Sequence, residues 1–149
     1  MNMLTIREAQ KEDLQDFLEL LTFLHDNSFP YTDSRIESIW TKIIDNPDHH
    51  LLLGHIENKL VSSCVIVVID NLTREQKPYA VIENVITHPD YRNRGYASAI
   101  LSTAKDIAVK NGCYKIMLMT GSKQESTLNF YRRAGYNSND KTAFIQWLN

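Results

Sequence analysis

The strongest constraint on the fold comes from residues 79–120, where two apolar segments flank a segment with helical periodicity. YAVIENVITH (79–88) has the length and β-branched content of a strand, and KIMLMT (115–120) is similar. Between them, small and aliphatic residues recur at helical spacing; they are Ala97, Ile100, Leu101, Ala104, Ile107 and Ala108. Gly112 is suited to end this helix. A strand, a helix and a strand joined by short links predict a right-handed crossover between two parallel strands.

A second apolar region precedes this crossover and predicts a β-hairpin. HHLLLGHI (49–56) and LVSSCVIVVI (60–69) are separated by the turn-like ENK, and the polar NLTREQKP leads on to the next strand. Strands joined by a tight turn are antiparallel. We therefore expect a mixed sheet, mostly antiparallel, with one parallel pair.

The first 47 residues predict one more strand and two helices. MLTIREA (3–9) reads as a short strand, and a helix ending near His25 follows it. Its apolar face consists of Leu14, Phe17, Leu18, Leu21 and Leu24. Ser34 and Glu37 form a capping-box pattern that opens the second helix, and Pro47 stops it.

Beyond residue 120 the pattern predicts a last helix and a closing strand. Ser122 and Glu125 form another capping-box pattern, and the helix ends at Gly135. Thr127, Phe130, Tyr131 and Ala134 share one face of it. TAFIQWL (142–148) is predicted to be a strand. The whole chain, residues 1–149, then forms a single α/β (α+β) domain with about four helices around the sheet.

Composition restricts the classes of partner. The chain has 149 residues, 43% of them hydrophobic, without a break that would mark a second domain. A formal net charge of -2 argues against a general nucleic-acid binder. No apolar run approaches the roughly 20 residues that span a bilayer. We expect a cytoplasmic chain with neither nucleic acid nor membrane as its partner.

The cysteines and histidines do not predict a metal site or a disulfide. Cys64 and Cys113 have no CxxC spacing, so both are expected to be reduced. His49, His50 and His55 lie in the hairpin without acidic residues at ligand spacing. Packing or solvated histidines are the expected interpretation, and no metal is predicted.

The turn YRNRGYA (91–97) stands between the long strand and its helix. The first N–H groups of a helix have no partners within the helix and attract anions. Arg92 and Arg94 add positive charge, Gly95 allows close approach to the backbone, and Ala97 keeps the next turn small. The pattern predicts a phosphate or pyrophosphate site; the alternative is an exposed turn with solvated arginines. It is neither a P-loop nor a GxGxxG fingerprint.

Two segments carry a resemblance to a known family. R-N-R-G-Y-A (92–97), after V-I-T-H-P-D-Y, resembles the [Q/R]-x-x-G-x-[G/A] pyrophosphate motif of the GNAT superfamily of N-acetyltransferases. F-Y-R-R-A-G-Y (130–136) and the order of elements from Leu4 to Trp147 are similar to that family. I-E-N-V (82–85) and G-C-Y-K-I (112–116) look most like glucosamine-6-phosphate N-acetyltransferases.

The resemblance implies a GNAT-like acyl-CoA N-acyltransferase fold with a splayed parallel strand pair, and acetyl-CoA as the acyl-donor cosubstrate. The pantetheine arm would bind along the strand that precedes the motif helix, and the pyrophosphate on the motif. The implied cofactor-binding residues are Val85, Ile86, Thr87, Arg92, Asn93, Arg94, Gly95, Tyr96, Ala97 and Ser98. The implied activity is direct transfer of the acetyl group to a primary amine in a ternary complex.

Two residues are implied to be catalytic. Glu83 interrupts an apolar strand, where an unpaired buried carboxylate would be unfavourable. It is either the base that removes the amine proton or a carboxylate paired with a neighbouring strand or a cationic substrate. Tyr131 matches the tyrosine that protonates the departing thiolate; the alternative is a core aromatic residue. The backbone N–H of Val85 would meet the oxyanion.

The amine acceptor is not determined by the sequence. An amino sugar, a polyamine and a peptide amine all remain open. Asp26, Tyr31 and Asp33 are candidates to receive a cation, and Ser122 and Lys123 to receive a phosphate. A non-catalytic coenzyme A sensor of the same fold and a partner-binding domain are the alternatives to an enzyme. The resemblance also implies a possible homodimer.

Two positions depart from the family pattern. Gln124 stands seven residues before Tyr131, where many members of the family carry asparagine. Thr127 stands four residues before it, where the sugar-phosphate enzymes of the family often carry asparagine. We expect either change to alter a contact to the pantetheine arm or to the acceptor.

Overall fold

A computed structural model describes residues 2–24 and 32–149, and within them the chain forms five strands and four α-helices. They are β1 (Leu4–Glu8), α1 (Leu14–Leu21), α2 (Ser34–Asp45), β2 (His49–Ile56), β3 (Lys59–Ile69), β4 (Tyr79–Thr87), α3 (Tyr96–Lys110), β5 (Ile116–Leu118) and α4 (Glu125–Arg133). Single turns of 3-10 helix lie at Lys11–Asp13 and Pro89–Tyr91. The first helix ends at Leu21, before the predicted end near His25, which lies outside the described residues.

The strands form one sheet in the order β1-β2-β3-β4-β5. The first three neighbouring pairs are antiparallel, and β4 and β5 are parallel. In the hairpin, His49 lies opposite Val67 and Ile56 lies opposite Lys59. The predicted hairpin and the predicted mixed, mostly antiparallel sheet with one parallel pair are confirmed.

Helices cover both faces of the sheet, as the adjacent β2 residues Leu53 and Gly54 show. Leu53 is buried in a cluster with side chains of α1 and α2, among them Phe17 and Trp40. At Gly54, a Cβ atom would lie 3.1 Å from Cδ1 of Ile100 on α3. Successive strand residues point to opposite faces. Helices α1 and α2 therefore pack on one face and α3 on the other, and glycine at 54 lets α3 approach closely.

Two helix starts differ from the sequence prediction. Asp33, rather than Ser34, caps α2, because its Oδ1 accepts a 2.9 Å hydrogen bond from the backbone N–H of Ile36. Gln124, rather than Ser122, precedes the first residue of α4. Each serine pattern was correct in predicting a helix start nearby. It was wrong about the cap, because a neighbouring residue occupies that position in the folded backbone.

The chain divides into two compact units, Met1–Leu118 and Met119–Asn149. In the second unit, the strand predicted at residues 142–148 is not formed. Phe144 and Trp147 are 92% and 82% exposed there. A strand needs a neighbour that exchanges backbone hydrogen bonds with it, and no strand pairing of the described chain includes these residues. The prediction of a closing strand is therefore wrong for this structure.

Both cysteines are free, as predicted. Burial raises the pKa of the Cys64 thiol to about 12, so it is a packed and unreactive side chain. Among the histidines of the hairpin, His50 pairs with Glu8 on β1 at 2.6 Å. In the part of the chain that the structure describes, no group of three or more His, Cys, Asp or Glu residues is arranged to hold a metal ion. No helix there is long and apolar enough to cross a membrane.

Asp13 is buried and ties the start of α1 to β1. Its carboxylate accepts hydrogen bonds of 2.7 and 2.8 Å from the Arg7 guanidinium, and Oδ2 accepts one of 2.7 Å from the backbone N–H of Gln10. The hydrogen bonds from Arg7 are the main reason that the pKa of Asp13 lies below its ordinary value, and burial opposes them. The pair stabilises the folded chain only while Asp13 is ionised.

Replacing Asp13 with alanine should lower the free energy of unfolding by about 2 kcal/mol near pH 7, a value moderated by the partial exposure of Arg7. Because the folded-state pKa of Asp13 lies below the unfolded one, its contribution is present above the ordinary carboxyl pKa. It is lost as the pH falls through the folded-state value. Chemical denaturation from about pH 7 to pH 2 measures this, with the exposed Glu12→Ala as control. If the free energy of unfolding differed between the wild type and Asp13→Ala by the same amount at every pH, the assignment would be contradicted.

Candidate functional site

Strand β4 changes character in its middle, at Asn84. Glu83 pairs with Val65 of β3, whereas Ile86 pairs with Ser63, so the register shifts between these two pairs. Asn84 has a positive φ of 55°, which is uncommon for a residue other than glycine. These are the marks of a β-bulge, which bends a strand and redirects its side chains. Ile82 is buried, and Glu83 and Asn84 are exposed.

The other edge of β4 loses its partner at the same place. The parallel pairing with β5 runs from Ala80 opposite Ile116 to Ile82 opposite Leu118, where β5 ends. Residues 83–87 of β4 continue without a β5 partner. Among the strand pairings of residues 2–24 and 32–149, the last five residues of β4 therefore have no partner on this edge. Sequence reasoning implied a splayed pair here from the family resemblance, but nothing in the sequence marked Asn84 as a bulge.

Glu83 lies at the start of this open edge. Among the described residues, no salt bridge or side-chain hydrogen bond engages its carboxylate. Pairing with a neighbouring strand, one of the two alternatives from the sequence, is thus not observed. The carboxylate is exposed and available to a ligand.

The loop after β4 leads into the N-terminus of α3. Gly95 precedes the helix in the left-handed conformation, with φ of 81°, and Asn93 also has a positive φ of 61°. A Cβ atom at Gly95 would meet no atom of the chain within 4 Å. The backbone conformation, rather than a lack of space, therefore explains the glycine at this position. The glycine also leaves free space in front of the unpaired N–H groups of the first turn, from Tyr96 to Ser98.

The two motif arginines are tied to the loop by backbone oxygen atoms. The Arg92 Nε–H donates a 3.1 Å hydrogen bond to the carbonyl oxygen of Thr87, and Nη2 of Arg94 donates one of 3.1 Å to the carbonyl oxygen of Asp90. Neither arginine makes a salt bridge in the described chain. Their charges thus remain uncompensated beside the glycine and the helix N-terminus, which together suit an anion.

His88 precedes this loop and packs against two aromatic rings. Its Nδ1 accepts a 3.1 Å hydrogen bond from the backbone N–H of Asp90, and its ring contacts Phe23 and Tyr91. The pKa of His88 is lowered by burial first and then by the charge of Lys59. These contacts make His88 a packed side chain at the base of the loop.

Tyr131 belongs to the second unit, on α4. Its half-buried ring contacts Phe130 with centroids 5.0 Å apart and Tyr136 with centroids 6.3 Å apart. Thr127 and Ser122, also in this unit, have hydroxyl oxygens 3.2 Å apart. The aromatic packing that the sequence left as an alternative is present, and it does not exclude contact of the phenol with a ligand.

The structure leaves fewer of the residues that were candidates to bind the acceptor. Asp26 and Tyr31 lie outside the described residues. Asp33 is engaged as the cap of α2. The Ser122 hydroxyl accepts a 3.2 Å hydrogen bond from the backbone N–H of Gln124, and Lys123 is exposed.

A cavity that sequence reasoning missed lies in the first unit, with a volume of about 1080 Å³. Its walls come from α1, the β2–β3 turn and the loop after β4. Lys59, Tyr91 and Arg94 are among its lining residues. No local pattern could have grouped Lys59 with the motif, because the antiparallel β3–β4 pairing brings them together.

The fold and the site together define the class. A strand whose parallel partner ends early, followed by a helix that begins at a glycine, agrees with the splayed pair and motif helix that the resemblance implied. The model of the Acetyltransferase (GNAT) family matches residues 11–136. The chain belongs to this family.

Two relatives are similar to this chain along most of its length. The chain is 27% identical to an uncharacterized N-acetyltransferase of Methanocaldococcus jannaschii, over 97% of this chain and 64% of that relative. It is also 27% identical to a glucosamine 6-phosphate N-acetyltransferase of Trypanosoma brucei brucei, over 93% and 92% of the two chains. The chain therefore spans just under two thirds of the archaeal relative and nearly all of the trypanosomal one.

Solved structures share the fold. One from Agrobacterium tumefaciens, provisionally named an acetyltransferase, has a TM-score of 0.89 and 29% identity, over 96% of this chain and 99% of that one. Glucosamine-6-phosphate N-acetyltransferase from Arabidopsis thaliana has a TM-score of 0.85 and 20% identity, with 99% of each chain covered. The predicted fold class is confirmed by these similarities and by the observed sheet.

Proposed function

We propose that this chain is an acetyl-CoA-dependent N-acetyltransferase, which moves an acetyl group to a primary amine by direct attack in a ternary complex. One observation carries the proposal: the open edge of β4, from Glu83 to Thr87, leads directly into the glycine-capped N-terminus of α3. An extended amide-containing arm suits the edge of a strand, and a pyrophosphate suits the helix start. Free space at Gly95 fits the close approach of such a group.

The proposed cofactor contacts follow from this arrangement. Backbone groups of Val85, Ile86 and Thr87 hold the pantetheine arm. The loop and first turn, residues 92–98, hold the pyrophosphate through backbone N–H groups and the two arginine side chains. The acetyl thioester supplies an activated carbonyl to the site.

Three groups of the chain have proposed roles in transfer. Glu83 takes the proton of the acceptor ammonium, directly or through water, so that the neutral amine attacks. The backbone N–H of Val85, next to the bulge, donates to the carbonyl oxygen as negative charge develops on it. Tyr131 gives a proton to the sulfur that leaves, and the second proton lost by the attacking nitrogen restores the phenol, directly or through water. A new C–N bond replaces the C–S bond, and the products are an amide, coenzyme A and the proton that Glu83 releases to solvent.

The proposed acceptor is a primary amine of a small molecule, such as an amino sugar or a polyamine, or of a peptide. The name of the trypanosomal relative gives glucosamine 6-phosphate as its acceptor, which supports an amino sugar as the class of acceptor. The alternative proposal is a non-catalytic coenzyme A sensor of the same fold. An exposed Glu83 without a partner in the described chain favours the enzyme, since a sensor has no use for a free carboxylate there.

We further propose that the functional form is a homodimer that covers the C-terminal segment, residues 142–148. Phe144, Ile145, Trp147 and Leu148 are between 59% and 92% exposed. Large apolar side chains concentrated in one exposed segment mark an interaction surface. A second copy is the proposed partner because it offers the same apolar segment in isologous form.

The cofactor site can be tested by the same substitution at two glycines of the loop and helix. Gly95→Asp should weaken acetyl-CoA binding at least about 100-fold in a calorimetric titration, since it places a carboxylate where the pyrophosphate lies. Gly112→Asp is the matched control, because Gly112 also has a positive φ, of 76°, and free space around its Cβ, at the other end of α3. It should bind like the wild type. Equal loss in both variants would indicate damage to α3 instead.

Catalysis can be separated from binding with two isosteric changes. Glu83→Gln should lower kcat about 100-fold or more, with a pH profile that no longer shows the base, and Tyr131→Phe should lower kcat with little change in acetyl-CoA affinity. The assay is acetylation of a panel of polyamines, amino sugars, aminoglycosides and peptide N-termini. Acetyl-CoA binding without acetylation of any of these amines would favour the sensor.

The dimer proposal predicts a change of mass with one substitution. Trp147→Asp should convert the wild-type dimer into a monomer in sedimentation experiments at micromolar concentration, because it places a charge in the apolar segment. Lys141→Asp, just outside the segment, is the control and should remain dimeric. A monomeric wild-type chain would refute the proposal.

A further inference from the structure

Two cations from distant parts of the chain meet on one aromatic ring beside the phosphate loop. The Lys59 Nζ lies 5.6 Å and the Arg94 Cζ lies 5.2 Å from the centroid of the Tyr91 ring. Lys59 begins β3 and Arg94 belongs to the loop after β4. The antiparallel register explains their meeting: Ser62 pairs with Thr87, so the start of β3 lies beside the end of β4.

The positive charge of this cluster is not neutralised within the described chain. Neither Lys59 nor Arg94 forms a salt bridge there. The face of Tyr91 offers each cation a modest attraction, but two like charges on one ring also repel each other. Since the whole chain carries a formal net charge of -2, this concentration of positive charge is local. An anion that binds both cations would relieve the repulsion.

Both cations line the cavity of about 1080 Å³, and so do Tyr91, His88 and Tyr96, the first residue of α3. The lining also carries three carboxylates, those of Asp16, Glu19 and Glu57. The cavity therefore offers groups of both charges. It suits a ligand that carries a phosphate together with hydrogen-bond donors or a positive charge.

The field of Lys59 already reaches the end of β4. After burial, the charge of Lys59 is the largest cause of the lowered pKa of His88, and Arg92 acts in the same direction, while Asp90 opposes them. An anion bound at Lys59 would thus change the pKa of His88. The His88 ring is therefore a spectroscopic probe of the cluster.

We propose that Lys59 and Arg94, positioned by Tyr91, form a subsite for a phosphate monoester, in addition to the pyrophosphate site of the loop. A phosphate monoester carries close to two negative charges at neutral pH, which matches two cations. The proposal rests on the proposed function, because the cofactor places its pyrophosphate beside this cluster. The phosphate is either the 3′-phosphate of coenzyme A or a phosphate on the acceptor.

The first experiment tests the subsite without the cofactor. Inorganic phosphate is titrated into the full chain while the His88 ring resonances are followed by NMR. In the wild type, saturable binding should raise the pKa of His88, since an anion stabilises the imidazolium. Lys59→Met keeps the length of the side chain and removes its charge, and it should abolish this response. Lys42→Met, on the exposed surface of α2, is the control. The same response in the Lys59→Met chain would overturn the proposal.

The second experiment identifies the source of the phosphate by calorimetry with coenzyme A and dephospho-coenzyme A. If the 3′-phosphate occupies the subsite, Lys59→Met should weaken coenzyme A binding about tenfold and leave dephospho-coenzyme A binding within about twofold. If both affinities are unchanged while the inorganic phosphate response is lost, the acceptor supplies the phosphate. A wild-type chain that binds neither form refutes the proposed function, while the phosphate titration still decides the subsite.

The role of Tyr91 is positioning, and a pair of variants tests it. Tyr91→Phe retains the ring and should keep the phosphate response, whereas Tyr91→Leu removes the ring and should lose it. Thermal unfolding of both variants checks that the loop remains folded. Loss of the response in Tyr91→Phe with unchanged stability would show that the ring face is not what holds the cations.

Discussion

The pairing of β4 is the constraint on which the rest of the site depends. As far as Ile82 the strand is hydrogen-bonded on both sides, to β3 and to β5, and its side chains are alternately buried. From the bulge at Asn84 onward it keeps only β3. Where a strand in the interior of a sheet has one free edge, its backbone groups can form hydrogen bonds with another extended chain. Here a loop of eight residues, 88–95, connects the free edge to a helix N-terminus.

Packing of α3 holds this arrangement in place. Ile100 and Leu101 are buried against the sheet, and Gly54 removes the side chain that would push the helix away. Because α3 cannot shift, its first turn stays at the end of β4, and the loop between them must turn sharply. The positive φ values of Asn93 and Gly95 are how the loop makes that turn. The rigid elements thus position the anion site, and the loop supplies its charge.

Local patterns in the sequence predicted much of this arrangement. The hairpin, the parallel crossover and the YRNRGYA turn each depend on neighbouring residues, so the spacing of apolar, glycine and arginine residues was sufficient. The helix caps were misplaced because Asp33 and Ser34 are both good caps, and only the folded backbone chooses between them. The prediction of a strand at 142–148 was wrong because strand propensity describes one chain segment, whereas a strand requires a second segment to pair with.

The sequence by itself determined the order of elements from β1 to α4 and the family, and it predicted an anion site at residues 91–97, since these follow from spacing along one segment. Only the tertiary structure decided where β4 bulges, how far β5 accompanies it, and that Lys59 joins Tyr91 and Arg94. The physical reason is that register is a relation between two strands. A shift of pairing between Glu83 and Ile86 leaves no mark on the residues of either strand, yet it decides which backbone groups are free and which side chains meet.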